Sequence, residues 1–238
     1  MNNRIVYLGD IHGEWNIVEC LAKDLKNQES EATIIQVGDF GVGFPDQMQG
    51  RKEGKRLDYL CSVLAQNNCK LLVLRGNHDD PAKFPGLWQD RIEFLPSNTR
   101  RLIYGKDHLF VGGAISVDRV GRKEGVSWWH DESIDVNGMM ELLASDPTRP
   151  QVIVTHTAPN EANLPTPKWV NSLFSKDKTL KQELQRERDA LSIVFKKFAD
   201  RGRPIDWIYG HFHCHRILDV GGIIFRQLDI NETYFPYQ

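Results

Sequence analysis

Residues 71–80 read LLVLRGNHDD. The run 71–74 has the apolar content of a strand buried on both faces. It stops at Arg75 and Gly76 and delivers Asn77, His78, Asp79 and Asp80 in a row. The same move recurs along the chain. RIVYL (4–8) leads into Gly9-Asp10-Ile11-His12-Gly13, and TIIQV (33–37) into Gly38-Asp39. QVIVT (151–155) leads into His156, and DWIYG (206–210), whose last residue is Gly210, into His211-Phe212-His213. In α/β sheets ligands bind beyond the carboxyl ends of strands, where loops on a rigid support present side chains. Each of these polar clusters sits at such an end.

Further strands are expected at KLLVL (70–74), HLFVGG (108–113) and IIFRQL (223–228). Between the first two strands, Trp15, Val18, Leu21, Ala22 and Leu25 recur at helical spacing within WNIVECLAKDLKNQ (15–28). Leu57, Leu60, Cys61 and Leu64 mark a second helix over 53–66. Strands alternating with helices indicate a layered α/β fold. From about residue 92 the strands crowd together (IEFL, RRLIY, HLFVGG), which predicts hairpins and a mixed sheet. Segment 157–178 is rich in Pro and Asn and reads as a loop or lid. It leads into a charged helix over 179–200 with Leu184, Leu191, Val194, Phe195 and Phe198 toward the core. The run KQELQRERD there reads as a solvated helix face, with a dimer contact as the alternative, so a homo-oligomer stays open. We read 1–238 as a single domain carrying this lid and helix at about 157–200.

The totals place the chain among ordinary soluble globular proteins. The chain has 238 residues, 40% apolar and 26% charged, and a formal net charge of −2. That length buries one sizeable core, and the near-neutral balance carries no strong nucleic-acid signal and no pull to anionic membrane. Cys20, Cys61, Cys69 and Cys214 form no CxxC pair and read as reduced core thiols. The N-terminus enters a strand-like run at once, and no stretch approaches the ~20 apolar residues that span a membrane. Both point to the cytoplasm and to no membrane partner.

The strand-end residues share one chemistry. Two carboxylates (Asp10, Asp39), one amide oxygen (Asn77) and four imidazoles (His12, His156, His211, His213) are donors suited to Zn²⁺, Mn²⁺ or Fe. Strand-like alternation in Asp-x-His or His-x-His would put both side chains of a pair on one side. Seven ligands exceed what one ion takes and match two ions sharing a carboxylate. Each cluster alone has a bland reading, such as a turn Asp beside a surface His. The ordered set of five does not.

That set, Gly9-Asp10-Ile11-His12, Gly38-Asp39, Gly76-Asn77-His78-Asp79, His156 and Gly210-His211-Phe212-His213, resembles the calcineurin-like metallophosphoesterases. The resemblance implies a four-layer α/β/β/α sandwich around two mixed β-sheets. It implies that Asp10, His12, His213 and Asp39 hold one ion, and Asn77, His156, His211 and Asp39 the other. The expected cofactors are two divalent or trivalent ions, manganese first, with iron, zinc or nickel as alternatives. His78 matches the family's catalytic histidine, and Asp79 would hold His78 or cap the next helix. The implied reaction is hydrolysis of a phosphomonoester or phosphodiester by a metal-bridging hydroxide, with a nucleotide or other small phosphoester as substrate.

Gly38-Asp39-Phe40-Gly41-Val42-Gly43 lacks the acid and arginine of the phosphoprotein Ser/Thr phosphatase branch, which counts against that activity. VGGAISVDR (111–119), followed by Ser127-Trp128-Trp129, is similar to a small bacterial and phage subset of the family. Arg119, Arg122 and Lys123 in that loop are candidate clamps on the substrate, weighed against a merely solvated loop. Trp128 and Trp129 could close over a flat group or simply pack the loop. A DNA nuclease, an amidohydrolase and a catalytically silent binding module on the same fold are the competing readings. The amidohydrolase order of His-x-His first and Asp last is reversed here, and a decayed site would have lost ligands.

Overall fold

Successive residues of β1 (Arg4–Leu8) face opposite sides of a sheet, and both sides are buried. Val6 and Leu8 pack outward under two helices, whereas Ile5 and Tyr7 pack inward against a second sheet. The alternation explains why the strands read as continuous apolar runs: each is covered twice. The computed structural model describes residues 4–26, 30–44, 52–165 and 168–236. The end of the expected first helix (27–28) and two residues of the expected lid (166–167) lie outside the described residues.

The chain forms two six-stranded sheets. In the first, β1, β2 (Ala32–Gln36), β3 (Cys69–Val73) and β5 (Ile92–Phe94) run parallel. Antiparallel β12 (Thr233–Tyr234) and β4 (Gly86–Trp88) close its edges. In the second, β7 (Lys106–Val111), β8 (Val152–Thr155), β9 (Ile205–Tyr209) and β11 (Ile223–Gln227) run parallel. Antiparallel β6 (Asn98–Ile103) and β10 (Arg216–Val220) flank them. Both sheets are therefore mixed, as expected from the crowding of strands after residue 92.

Helices α1 (Asn16–Asp24) and α2 (Glu53–Gln66) cover the outer face of the first sheet through Val18, Leu21, Leu57, Leu60 and Leu64. Helices α3 (Val136–Ser145) and α5 (Leu180–Phe198) cover the second through Met139, Leu143, Leu191, Val194 and Phe198. Between the sheets lie Ile5, Tyr7, Ile35, Val37, Leu74, Phe110, Val154 and Ile208. The order of layers is α/β/β/α, and burial of each such aliphatic side chain stabilises by about 1.5–3 kcal/mol.

Three expectations are corrected. Segment 157–178 is not all loop: a short 3₁₀ turn (Asn160–Ala162) and α4 (Lys168–Leu173) lie within it. Cys20 and Cys214 are exposed, and only Cys61 and Cys69 are core thiols; all four are free. Asp10 and His12 are not on a strand. β1 ends at Leu8, and His12 adopts a left-handed φ of 43° because Ile11 and His12 both donate their N–H to the Asp39 carbonyl.

Among the described residues no helix is long and apolar enough to cross a membrane.

Candidate metal centre

Because the central strands of each sheet are parallel, their carboxyl ends share an edge, and the polar clusters meet there. The turns that carry them are strained. His12, Asp39, His211 and His213 all have φ between 43° and 68°, a region that costs non-glycine residues energy and concentrates at functional sites. Glycines make room. A side chain at Gly76 would overlap the Asp39 carboxylate, and one at Gly210 the Asp10 carboxylate. These two glycines are imposed by how closely the acids lie against neighbouring backbone; at Gly38 a side chain would instead meet the His156 ring, and at Gly9 the Asp229 carbonyl.

The side chains gather into two groups that share Asp39. One is Asp10, His12, Asp39 and His213; the other is Asp39, His156 and His211. Within each, one donor atom per residue lies within 4.8 Å of all the others. In the first, His213 Nε2 is 3.1 Å from Asp10 Oδ2 and 3.0 Å from His12 Nε2. In the second, His156 Nε2 is 3.1 Å from Asp39 Oδ1 and 3.2 Å from Asn77 Oδ1, so the amide oxygen joins this group. The first group opens to solvent, with His213 44% and His12 26% exposed, while His156 is fully buried.

These residues fit cations. Asp10 and Asp39 are buried, and among the described residues their only ion-pair partners are histidines, with no Lys or Arg. Two buried carboxylates without a fixed positive charge are costly, and a bound cation removes that cost. Burial pushes the Asp39 carboxyl up, but attraction to His156 and the other imidazoles outweighs it and holds Asp39 well below the usual carboxylate range. Burial likewise pushes His156 down, and Asp39 and Asp10 more than reverse it, to about 9. The ring thus stands in for positive charge that the site calls for. His156 Nδ1 lies 3.0 Å from the Val37 carbonyl, the outer hydrogen bond that orients metal-binding imidazoles.

His78 stands beside both groups. Its backbone N–H donates to Asp39 Oδ1 at 2.7 Å, and its ring stacks on Phe44 at 4.6 Å between centroids. Burial pushes the imidazole down to about 4. Arg122 Nη2 lies 2.8 Å from His78 Nε2. A guanidinium can only donate, so His78 Nε2 accepts, and the ring is neutral with its proton on Nδ1.

Asp79 has neither of its expected roles. Its buried carboxylate accepts from the backbone N–H of Gly41 at 2.7 Å, Gly76 at 2.8 Å, Val42 at 3.2 Å and Phe40 at 3.3 Å. Those bonds tie the Asp39 turn to the Asn77 turn, and none reaches the His78 imidazole. The cap of the following 3₁₀ turn is Asp80, whose carboxylate accepts from Ala82 N–H.

The loop cations part ways. Arg119 pairs with Asp177 at 2.6 Å and with Glu183, binding its loop to the start of α5, so its guanidinium is occupied. Arg122 reaches His78 and is braced by Asp118 at 2.8 Å. Lys123 is tied down through its backbone, its N–H donating to Ser127 Oγ at 3.0 Å and its carbonyl accepting from the N–H of Ser127 at 2.9 Å and Val126 at 3.2 Å.

Several residues around the site escape the sequence reading. Arg75 is buried and donates to the carbonyls of Asp131, Glu132 and Ser133, fastening that segment to the end of β3. Ser116 and Glu132 are buried and bonded to each other beside Asn77. A signal for Ser116 existed: HLFVGG is one more apolar run ending in glycine, and Ser116 lies three residues beyond it. A cavity of about 520 Å³, bounded by Trp128, His130, Glu132, Arg186 and Glu187 among others, adjoins this network.

Three comparisons with known proteins bear on this geometry. The family model described as calcineurin-like phosphoesterase matches residues 3–215. Among solved structures, a phosphopantetheinyl hydrolase from Mycobacterium tuberculosis superposes with a TM-score of 0.55 at 13% identity, covering 96% of this chain and 90% of the other. A Staphylococcus aureus protein assigned as a 5′-nucleotidase, in complex with α-ketoglutarate, gives 0.52 at 12% identity, covering 97% of this chain and 49% of the other. At such identities these likenesses speak to the fold alone. A search of curated protein sequences returns no match. The family match spans nearly the whole chain and contains every one of the clustered acids and histidines, and on it the chain belongs to the calcineurin-like phosphoesterase family.

Proposed function

We propose that this chain is one metallophosphoesterase domain that holds two metal ions and hydrolyses a small phosphoester, with nucleotides the preferred class. The observation that carries the reading is the membership of Asp39 in both donor groups, which would give two cations one common carboxylate. Asp10, His12, His213 and Asp39 would hold one ion, and Asn77, His156, His211 and Asp39 the other. Manganese is the first choice for both. When bound, such ions supply Lewis-acid polarisation of the phosphoryl oxygens and a nucleophile from water at neutral pH.

The chain's own residues account for the rest. The Asp79 carboxylate holds the Asp39 and Asn77 turns at fixed separation. Arg122, already pointed at the centre, turns from His78 Nε2 to an incoming phosphoryl oxygen, to which its planar donors are suited. That frees His78 Nε2 to take up the proton released by the attacking water and pass it to the leaving oxygen, a contribution of roughly 10²–10⁴-fold for a placed acid. Phe44 shields one face of the imidazole from water. Arg119 lines the cavity beside Trp128, but Asp177 and Glu183 hold its guanidinium, so it is a wall of that cavity and not a free clamp on a phosphate. The cavity beside Trp128 has a volume ordinary for a small-ligand pocket and is the proposed seat for the body of the substrate.

The test is a panel of the apoprotein reconstituted with Mn²⁺, Ni²⁺, Zn²⁺ or Mg²⁺. The substrates are an aryl phosphomonoester, an aryl phosphodiester, cyclic nucleotides, dinucleoside polyphosphates, a phosphopeptide and single-stranded DNA. Metal-dependent turnover of a small phosphoester is expected. Turnover confined to the phosphopeptide or the DNA would reverse the substrate assignment, and no turnover with any metal would remove the enzymatic one.

A further inference from the structure

Ser116 is fully buried three residues beyond the glycine pair that follows β7, and its hydroxyl meets three side chains. Glu132 Oε2 lies at 2.8 Å, Asn77 Nδ2 at 3.1 Å and Arg122 Nη1 at 3.2 Å. A hydroxyl has one proton and two lone pairs. The amide NH₂ and the guanidinium can only donate, so they take the lone pairs, and the proton goes to the Glu132 carboxylate. Every bonding capacity of Oγ is used, and every direction is settled. Glu132 is in turn held by the Ser116 backbone N–H at 2.6 Å and by Trp128 Nε1 at 2.9 Å, both on Oε1.

This arrangement decides which end of the Asn77 amide faces the metal centre. With Nδ2 committed to Ser116, the oxygen is turned toward His156 and Asp39, and a cation takes an amide oxygen and not an NH₂. The same hydroxyl also positions Arg122, whose other terminal nitrogen reaches His78.

We propose that Ser116, anchored by Glu132, is a shared positioning residue that presents the Asn77 oxygen to the buried ion and sets Arg122 against His78. The proposal rests on the metal-centre reading above. It predicts that a single hydroxyl links occupancy of the buried ion to the arginine that would meet the phosphoryl group, while the ion at Asp10, His12 and His213 lies outside its reach.

The experiment is calorimetric titration of the apoprotein with Mn²⁺ alone, without substrate, on wild type, Ser116→Ala, Ser116→Cys and Arg122→Ala. Wild type should take up two ions. Ser116→Ala should bind one of them about 10–100-fold more weakly, the loss typical when an outer hydrogen bond to a ligand is removed, and the other unchanged. Ser116→Cys nearly keeps the volume but not a strong hydrogen bond, and should show the same selective loss; it stands in if the alanine variant does not fold. Arg122→Ala should bind both ions as wild type does while kcat on an aryl phosphomonoester falls. Ser116 variants that titrate like wild type, or that lose both ions equally, would overturn the positioning role. Wild type that binds no ion would instead sink the metal-centre reading itself.

Discussion

Two histidines, His108 in the layer between the sheets and His78 at the strand-end edge, are both pushed down to about 4 by burial. Their surroundings separate them. His108 Nδ1 faces the Lys106 carbonyl at 2.8 Å and Nε2 faces the Tyr7 hydroxyl at 2.7 Å, a bond that crosses from one sheet to the other. The carbonyl only accepts, so Nδ1 carries the proton and Nε2 accepts from Tyr7: both nitrogens are satisfied by fixed partners. His78 has an arginine on Nε2 that a phosphoryl group could draw away, and it stands on a glycine-led turn against Asp39. A depressed imidazole is therefore no mark of catalysis by itself. The mark is a partner that can be exchanged.

The contrast can be broken in order of effect. Asp39→Asn strikes the edge and spares the core. Metal content should fall at both positions, and kcat/KM should drop on the order of 10⁴-fold, about 5.5 kcal/mol at 1.36 kcal/mol per decade. Retention of both ions, read by elemental analysis, would contradict the shared role. His78→Ala should lower kcat roughly 10²–10⁴-fold with metal content and melting temperature close to wild type. An empty metal site in that variant would remove His78 from the chemistry.

His108→Ala is the mirror image. It should cost about 2–4 kcal/mol of stability in denaturant melts, through the cavity and the stranded Tyr7 hydroxyl, and leave kcat of the folded fraction unchanged. A normal melt with poor turnover would invert the comparison. The smallest effect is the pH dependence. The folded pKa of His108, about 4, lies below the ordinary 6.5, so between those values the unfolded chain binds the extra proton. This contribution is intact above about pH 6.5 and shrinks as pH falls, by about 2 kcal/mol at pH 5. His108→Gln, with no proton to gain, should show a correspondingly flatter stability curve over pH 4–7; parallel curves would reject the assignment.

Much of this is visible in the amino-acid order. The helix expected over 53–66 is α2, residue for residue, and every apolar run read as a strand is one to within about two residues. What escapes detection is short or half-covered. β10 alternates between exposed and half-buried positions, β4 and β12 have three and two residues, and none of them has an apolar run. α3 had a legible start, since the Asp135 carboxylate accepts from Gly138 N–H as an N-cap just before Met139, Leu142 and Leu143. The metal-binding candidates were legible because each follows its strand directly. Asp79 was misjudged because three of its four partners, the N–H groups of residues 40–42, lie far away in sequence.

By itself the sequence determined which side chains stand at strand ends, because a buried strand needs consecutive apolar residues and a tight turn needs glycine, and both are written locally. Which of those side chains touch was decided by the tertiary structure. The parallel strands bring residues 10, 39, 77, 156, 211 and 213 to one edge, and the end of β7 sets Ser116 beside Asn77. Hydrogen-bond partnership between distant segments depends on distances of about 3 Å, which no spacing along the chain encodes.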